Sequence, residues 1–225
     1  MIELIIANKM YSSWSLRPWI VMKHFNVPFT EKLITLGNSD TRSNILLHSP
    51  SRFLPVLKDE DLIVWDSLAI IEYIGDVYNP EIWPKSHKTR ATARSLAAEM
   101  HSGFHSLRSV CPMNLGKKYP FKSYDTKVLE DVERITSIIQ HCREQSQHDG
   151  HFLFGSFTAV DAIYLPLIIR LDTYSFPLSS VLEDYREKLF SLPAYQEWRN
   201  AALDEPWVVN EEEVADKPIH IFRHR

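Results

Sequence analysis

The chain has 225 residues, of which 44% are hydrophobic and 24% are charged, and its formal net charge is −4. At roughly 100–200 residues per domain, this length gives one large domain or two small ones, and the composition excludes a disordered chain. The acidic balance argues against nucleic acid and anionic membrane surfaces as partners.

The cysteines and the N-terminus indicate a cytoplasmic protein. Cys111 and Cys142 are far apart and form no CxxC pair, so the sequence predicts neither a disulfide framework nor a zinc knuckle. The first residues lack the basic region of a signal peptide. No stretch reaches the ~18 uncharged apolar residues of a membrane span.

Strands and helices alternate in the first 80 residues. Short apolar or alternating runs predict strands, and apolar residues at helical spacing predict helices. The predicted order is β-α-β-α-β-β-α, over 3–7, 15–25, 29–36, 41–47, 55–58, 62–65 and 68–74. This order is typical of a compact mixed-sheet domain, which we assign to 1–80.

The rest of the chain predicts helices almost exclusively. Pro80 and Pro84 mark a linker over 79–87. Helical patterns follow at 90–107, 125–145, 160–174, 181–189 and 194–203. We therefore expect an all-helical domain over 88–208 and a poorly ordered C-terminal tail over 209–225. Within that tail, Glu211 to Glu213 is interpreted as a solvated acidic patch.

Hydroxyl groups are concentrated between the first strand and the first helix, in the segment 11–19. A helix N-terminus presents unpaired N–H groups and favours an anion, so a serine there is suited to lowering the pKa of a thiolate or an oxyanion. A single serine is equally well explained as the N-cap, but several serines leave one free.

Two more sites lie at the starts of a strand and a helix. Pro55 opens a predicted strand, and a cis peptide there exposes the backbone of Val56 to a ligand, although a trans peptide is the commoner state. Asp66 and Ser67 precede a helix and are able to bind an ammonium and a carboxylate. In isolation, a plain N-cap explains this pair more simply.

In this combination the chain resembles the cytosolic glutathione S-transferases. The run Ser12-Ser13-x-Ser15-x-Arg17 is similar to the zeta-class signature, with Trp14 and Leu16 in place of its usual cysteine and tryptophan. The arrangement from Pro55 to Ile74 is shared across that superfamily, and the segments 155–161 and 192–198 resemble its helical-domain motifs, with Thr158 as a helix cap and Asp161 reaching back to it. The resemblance covers about 1–205 and implies an α/β thioredoxin-like N-terminal domain followed by an all-α C-terminal domain.

The resemblance also implies site residues. Ser12 matches the serine that stabilises the glutathione thiolate, with Ser13 beside it as a second catalytic candidate. Glutathione-binding positions are implied at Ser15, Arg17, Arg52, Leu54, Val56, Asp66 and Ser67. Arg52-Phe53 stands where many relatives have Gly-Lys, so Arg52 or His48 is expected to replace the missing lysine.

A second-substrate pocket is expected between the domains. The candidates for its wall are His105, Arg108, Met113, Asn114 and Arg170. His101 and His105 share a face at i,i+4 spacing, but no carboxylate completes an HExxH motif, so we expect no metal site. Arg170 is suited to an acidic substrate, with a structural ion pair as the alternative.

The leading hypothesis is a glutathione-dependent transferase that uses glutathione as co-substrate and no metal. It conjugates glutathione to small electrophiles, in detoxification, or isomerises a maleyl-type diacid. The alternative is a noncatalytic module of the same fold that binds proteins. A cysteine-type oxidoreductase is excluded because the loop before the first helix contains no cysteine. The resemblance further implies a homodimer.

Overall fold

A four-stranded sheet with strand order β2-β1-β3-β4 organises the N-terminal part of the computed structural model, which describes residues 2–146 and 150–223. β1 (Ile2–Ile6) runs parallel to β2 (Phe29–Leu33) and antiparallel to β3 (Val56–Asp59). β3 continues through a tight turn into its antiparallel partner β4 (Leu62–Trp65). Because β1 has neighbours on both sides, it is almost entirely apolar and buried.

Two helices connect these strands, α1 (Ser13–His24) between β1 and β2 and α2 (Thr41–Leu46) between β2 and β3, and α3 (Ser67–Val77) follows β4. The predicted order β-α-β-α-β-β-α is confirmed, and each element begins within a few residues of its expected position. α1 and α3 contact each other, and their N-termini carry the serine run and the Asp66-Ser67 pair.

Six helices follow: α4 (His87–Ser102), α5 (His105–Val110), α6 (Thr126–Gln145), α7 (Ala159–Thr173), α8 (Ser180–Phe190) and α9 (Pro193–Asp204). The helix predicted over 90–107 is two helices, because Gly103 ends α4 in an extended conformation and Phe104 has a φ of 55°. A side chain at Gly103 would place its Cβ 2.6 Å from the carbonyl oxygen of Glu99, which only glycine avoids. The boundaries at 80 and 88 stay predictions.

The two parts pack through α1, which contacts both α7 and α9. The rings of Trp19 and Trp198 meet edge to face with centroids 5.1 Å apart, and the indole N–H of Trp198 donates to the carbonyl of Lys9 at 3.0 Å. Trp83 and Trp198 are buried. These contacts fix the serine-bearing end of α1 against the helical part.

The segment after α9 is held by two carboxylates, of which Glu205 is buried and Glu213 is half-buried. Glu205 accepts from the backbone N–H of Lys9 at 2.7 Å, and Glu213 accepts from the Tyr11 hydroxyl at 2.7 Å and from Lys117 at 2.6 Å. β6 (His220–Ile221) pairs antiparallel with β5 (Lys117–Lys118). The segment expected to be a poorly ordered tail thus makes specific polar contacts as far as residue 223. Within the expected solvated patch, Glu211 is exposed, whereas Glu212 and Glu213 are half-buried.

None of the helices in the described ranges is both long and apolar enough to cross a membrane.

Candidate active site

Two cavities meet at the N-terminus of α1. The first, called the cleft, measures about 360 Å³ and lies between the sheet and the helices. The second, called the edge cavity, measures about 390 Å³ and lies at the starts of β3 and α3. Trp14, Phe53 and Leu54 line both cavities and so form the partition between them.

Ser12 is the N-cap of α1 and also lines the cleft. Its Oγ accepts from the backbone N–H of Ser15 at 3.2 Å and donates to Oγ of Ser15 at 2.8 Å. The same Ser15 oxygen accepts from the backbone N–H of Ala7 at 3.1 Å. Ser15 is 0% exposed, so the prediction that it contacts glutathione is wrong: it joins the end of β1 to α1 instead.

Ser13 reaches the cleft beside a buried arginine. Its Oγ accepts from Nη2 of Arg170 at 3.4 Å, while Nε and Nη1 of Arg170 donate to the carbonyls of Cys111 and Pro166 at 2.9 and 3.0 Å. Burial and, to a smaller extent, Arg108 lower the pKa of Arg170 to about 10, so it is a cation at neutral pH. Its hydrogen-bond partners are carbonyls and a hydroxyl, which argues against the structural ion pair considered for it.

The cleft carries an excess of positive charge. Among the described residues that line it, Arg52, Arg108 and Arg170 are cationic and Glu212 is the one carboxylate. His105 lines the same cleft. Burial raises the pKa of Glu212, and the nearby cation of Arg170 opposes that rise. The Glu212 carboxylate thus neutralises only part of the positive charge of the cleft. This charge favours an anionic occupant.

The edge cavity has an acid and a free hydroxyl at the start of α3. Asp66 has a φ of 76° and caps the helix by accepting from the N–H of Leu68 at 2.8 Å. Ser67 is 1% exposed, and within the described residues its Oγ has no hydrogen-bond partner. A buried hydroxyl without a partner is costly, which makes Ser67 a donor available to a ligand.

His101 supports Asp66 from α4. Its Nε2 lies 3.2 Å from Oδ2 of Asp66, and burial lowers the pKa of the imidazole although Asp66 opposes that shift. The ring is therefore neutral at pH 7. His105 lies in α5, so the break at Gly103 removes the shared helical face that the sequence predicted for the two histidines. The described residues contain no group of three or more His, Cys, Asp and Glu placed around a metal.

The Leu54–Pro55 peptide is cis, which is the state that the sequence left open beside the commoner trans state. Leu54 lines both cavities, whereas Val56 lies within the sheet between Ile5 and Trp65 and its side chain is 0% exposed. The residue before the proline, rather than Val56 after it, is thus the one that lines the cavities.

The two candidates for the missing lysine differ in their surroundings. Nδ1 of His48 lies 2.8 Å from Nζ of Lys58, and burial together with Lys58 lowers the pKa of His48. His48 is therefore a neutral acceptor for Lys58. Arg52, with a φ of 69°, lines the cleft, whereas His48 is not among the described residues that line either cavity.

Three other predicted positions lie away from both cavity surfaces. Arg17 is 1% exposed and lies under Trp14, with its guanidinium carbon 4.0 Å from the ring centroid. Met113 is 0% exposed in the core, and Asn114 lines a separate cavity of about 200 Å³ and donates to Glu213. The prediction that Met113 and Asn114 face the cleft is wrong, because the chain turns into the core after Cys111.

Sequence reasoning missed Trp14 and Glu212. Trp14 was noted only as a departure from the family signature, and that departure was the available signal. Glu212 reaches the cleft from a distant segment, which no local pattern indicates.

Comparisons with known proteins agree with this geometry. Residues 11–77 match the family model for the glutathione S-transferase N-terminal domain. A probable maleylacetoacetate isomerase of Caenorhabditis elegans is 25% identical over 191 residues, which are 81% of this chain and 86% of that protein. Glutathione S-transferase theta-3 of Mus musculus is 27% identical over 152 residues, which are 63% of this chain and 61% of that protein.

The fold has solved counterparts. A glutathione transferase homologue from Burkholderia, determined with bound glutathione, superposes with a TM-score of 0.69 at 20% identity and covers 89% of this chain and 97% of its own. The sheet order, the helical part and the matched N-terminal model point the same way, and residues 11–77 of the chain form a glutathione S-transferase N-terminal domain.

Proposed function

We propose that this protein is a glutathione-dependent transferase in which glutathione lies across the partition, with its γ-glutamyl end in the edge cavity and its thiol in the cleft. The observation that carries the proposal is the meeting of the two cavities at the start of α1, with Ser12 and Ser13 on one side and the unpartnered Ser67 hydroxyl on the other. The glutathione in the Burkholderia homologue and the names of the relatives support it.

Each end of glutathione has a chemically matched partner. Asp66 attracts the ammonium of the γ-glutamyl group, while Ser67 and the N–H groups at the start of α3 bind its carboxylate. The backbone of Leu54 pairs with the cysteinyl unit. The side chain of Arg52 binds the glycine carboxylate in place of the lysine that this sequence lacks.

Catalysis begins with ionisation of the thiol. The hydroxyl of Ser12 turns from Ser15 to donate to the thiolate, and the N-terminus of α1 and the charge of Arg170 stabilise the same anion. The proton leaves to solvent. The sulfur then uses its electron pair to form a bond to an electrophilic carbon, whose leaving group departs with the bonding electrons or whose π electrons move to an adjacent acceptor.

The charge of the cleft selects an electrophile that carries a carboxylate. The lining of the cleft contains three arginines and one glutamate, so a maleyl-type diacid fits better than a neutral compound. With such a substrate the thiolate adds to the double bond, the resulting single bond rotates, and elimination of the thiolate leaves the isomer. The relative named a probable maleylacetoacetate isomerase supports this reaction.

Calorimetric titration of glutathione in two buffers of different ionisation enthalpy tests the binding and the ionisation together. We expect binding with proton release near neutral pH, because the bound thiol ionises. S-methylglutathione, which cannot ionise, is the matched ligand control and should bind without releasing that proton. No binding at millimolar glutathione contradicts the proposal and favours the noncatalytic interaction module.

We further propose a homodimer formed through the outer edge of the sheet. Leu62, Ile63 and Trp65 of β4 are 46%, 40% and 46% exposed, and Phe53 nearby is 75% exposed. An exposed apolar sheet edge of this kind marks an interaction surface, and association with a second copy of the chain would remove it from water. Sedimentation of the wild type should show a dimer and that of Ile63→Lys a monomer, and a monomeric wild type contradicts the proposal.

A cytoplasmic location stays a prediction.

A further inference from the structure

Trp14 contacts two arginines at the partition between the cavities. The guanidinium carbon of Arg17 lies 4.0 Å from the centroid of the indole ring, and that of Arg108 lies 4.7 Å from it. The ring itself lines both cavities. His101 meets it edge to face, with centroids 5.2 Å apart. One aromatic side chain therefore joins helices α1, α4 and α5 at the site.

Arg17 depends on this ring. The residue is 1% exposed, and within the described residues its three side-chain nitrogens have no hydrogen-bond partner. Burial, together with Arg108 and Arg170, lowers its pKa, while Asp66 opposes the shift. The electron-rich indole face attracts the cation and gains strength where water is excluded. The cation–π contact with the buried Arg17 thus fixes the orientation of the Trp14 ring.

Arg108 is held by the same ring at the wall of the cleft. Its Nη1 donates to the carbonyls of His101 and Gly103, at 3.4 and 3.0 Å. These bonds and the indole face fix the plane of a guanidinium that lines the cleft. A fixed guanidinium binds a carboxylate at a smaller entropic cost than a mobile one.

We propose that Trp14 is a positioning residue for the second substrate, which holds Arg108 where it meets the carboxylate of an acidic electrophile. This inference rests on the proposed function. It concerns the position at which this chain departs from the zeta-class signature, where a cysteine offers no aromatic face. Loss of the ring should therefore weaken the binding of acids specifically, through Arg108.

The first experiment measures binding of succinate, an unreactive diacid, by calorimetry without glutathione. We expect wild type to bind it, Trp14→Leu to bind about tenfold more weakly, and Trp14→Phe to lie between them, because a phenyl ring attracts cations less than indole does. Trp14→Phe also keeps the test open if the leucine variant folds poorly. Trp207→Phe, a half-buried tryptophan outside both cavities, is the matched control and should bind as wild type does.

A double-mutant cycle separates positioning from mere packing. If Trp14 acts through Arg108, the variant carrying both Trp14→Leu and Arg108→Leu should bind succinate no more weakly than Arg108→Leu alone. Additive losses, an unchanged Trp14→Leu, or a wild type that does not bind succinate would each overturn the inference.

Turnover provides the second readout. For Trp14→Leu we expect the KM for an electrophile that carries a carboxylate to rise several-fold more than the KM for its neutral amide, because only the acid uses Arg108. Equal losses for both electrophiles overturn the inference. A wild type that turns over neither overturns the proposed function instead, while the succinate titrations still decide the role of Trp14.

Discussion

Oγ of Ser13 accepts a hydrogen bond from Nη2 of Arg170 at 3.4 Å, across 157 positions of the sequence. The bond joins the first residue of α1 to the last turn of α7. It also distinguishes the two serines of the cleft. The oxygen of Ser13 is engaged by a cation, whereas the proton of Ser12 is given to Ser15 at 2.8 Å.

Replacement of each serine shows which one stabilises the thiolate. Glycine is a good N-cap, so Ser12→Gly should cost only a few tenths of a kcal/mol in stability. Since it removes the donor to the thiolate, we expect kcat/KM to fall by about 100-fold and the pKa of bound glutathione to rise. Steady-state kinetics and thiolate absorbance measure the two effects.

Ser13→Ala is the companion variant. It leaves Nη2 of Arg170 without its acceptor, so we expect a loss of about 1–2 kcal/mol in unfolding free energy and a smaller kinetic effect. The reverse result, with activity lost only in Ser13→Ala, assigns the role to Ser13. Full activity in both variants rules out a serine-stabilised thiolate.

Arg52 is expected to replace the lysine that many relatives carry. Because a charged hydrogen bond contributes about 1.5–3 kcal/mol, Arg52→Leu should raise KM for glutathione roughly tenfold or more, with kcat nearly unchanged. His48→Ala is the matched control, since His48 accepts from Lys58 instead. A rise in KM only for His48→Ala would show that the histidine binds the glycine carboxylate.

Much of the fold follows from local pattern, and much of the site does not. The apolar strands and the capped helices are set by residues close in sequence, as with Asp66 at the start of α3. The break at Gly103 was missed because helical periodicity continues across it. Met113 was misplaced, and Glu212 was missed, because their positions depend on how distant segments pack.

His101 makes stability depend on pH. Burial lowers the pKa of the folded imidazole, while an unfolded histidine titrates near a pKa of about 6.5. Below that pH the unfolded chain binds a proton that the folded one resists, so the unfolding free energy falls as pH decreases. His24 and His48 shift in the same direction and add to the effect.

The contribution of His101 is isolated with His101→Gln, whose amide is able to donate to Asp66 but does not titrate. Urea unfolding at pH 7.5 and 5.5 should show a smaller loss on acidification for the variant than for wild type. An equal or larger loss in the variant would mean that His101 binds its proton as readily in the folded protein as in the unfolded one.

Asp161 joins α7 to two neighbouring segments and is 0% exposed. Its carboxylate accepts from the backbone N–H groups of Leu153 and Thr158 at 3.0 and 2.8 Å, and from the Tyr185 hydroxyl at 3.0 Å. The reach-back to Thr158 is the contact that the sequence predicted. The Thr158 hydroxyl also donates to this carboxylate, at 3.1 Å. Asp161→Ala leaves these four buried donors without an acceptor, so we expect the unfolding free energy to fall by about 3–5 kcal/mol.

Tyr185→Phe is the matched control for Asp161, because it removes one donor and leaves the carboxylate with both backbone partners. Its expected cost is about 1 kcal/mol. Urea unfolding followed by circular dichroism measures both variants. Because α7 carries Arg170, folded Asp161→Ala should also bind succinate more weakly, whereas Tyr185→Phe should bind it normally. A loss below about 1 kcal/mol in Asp161→Ala would show that the freed donors find other partners, since each unsatisfied buried group alone costs about that much.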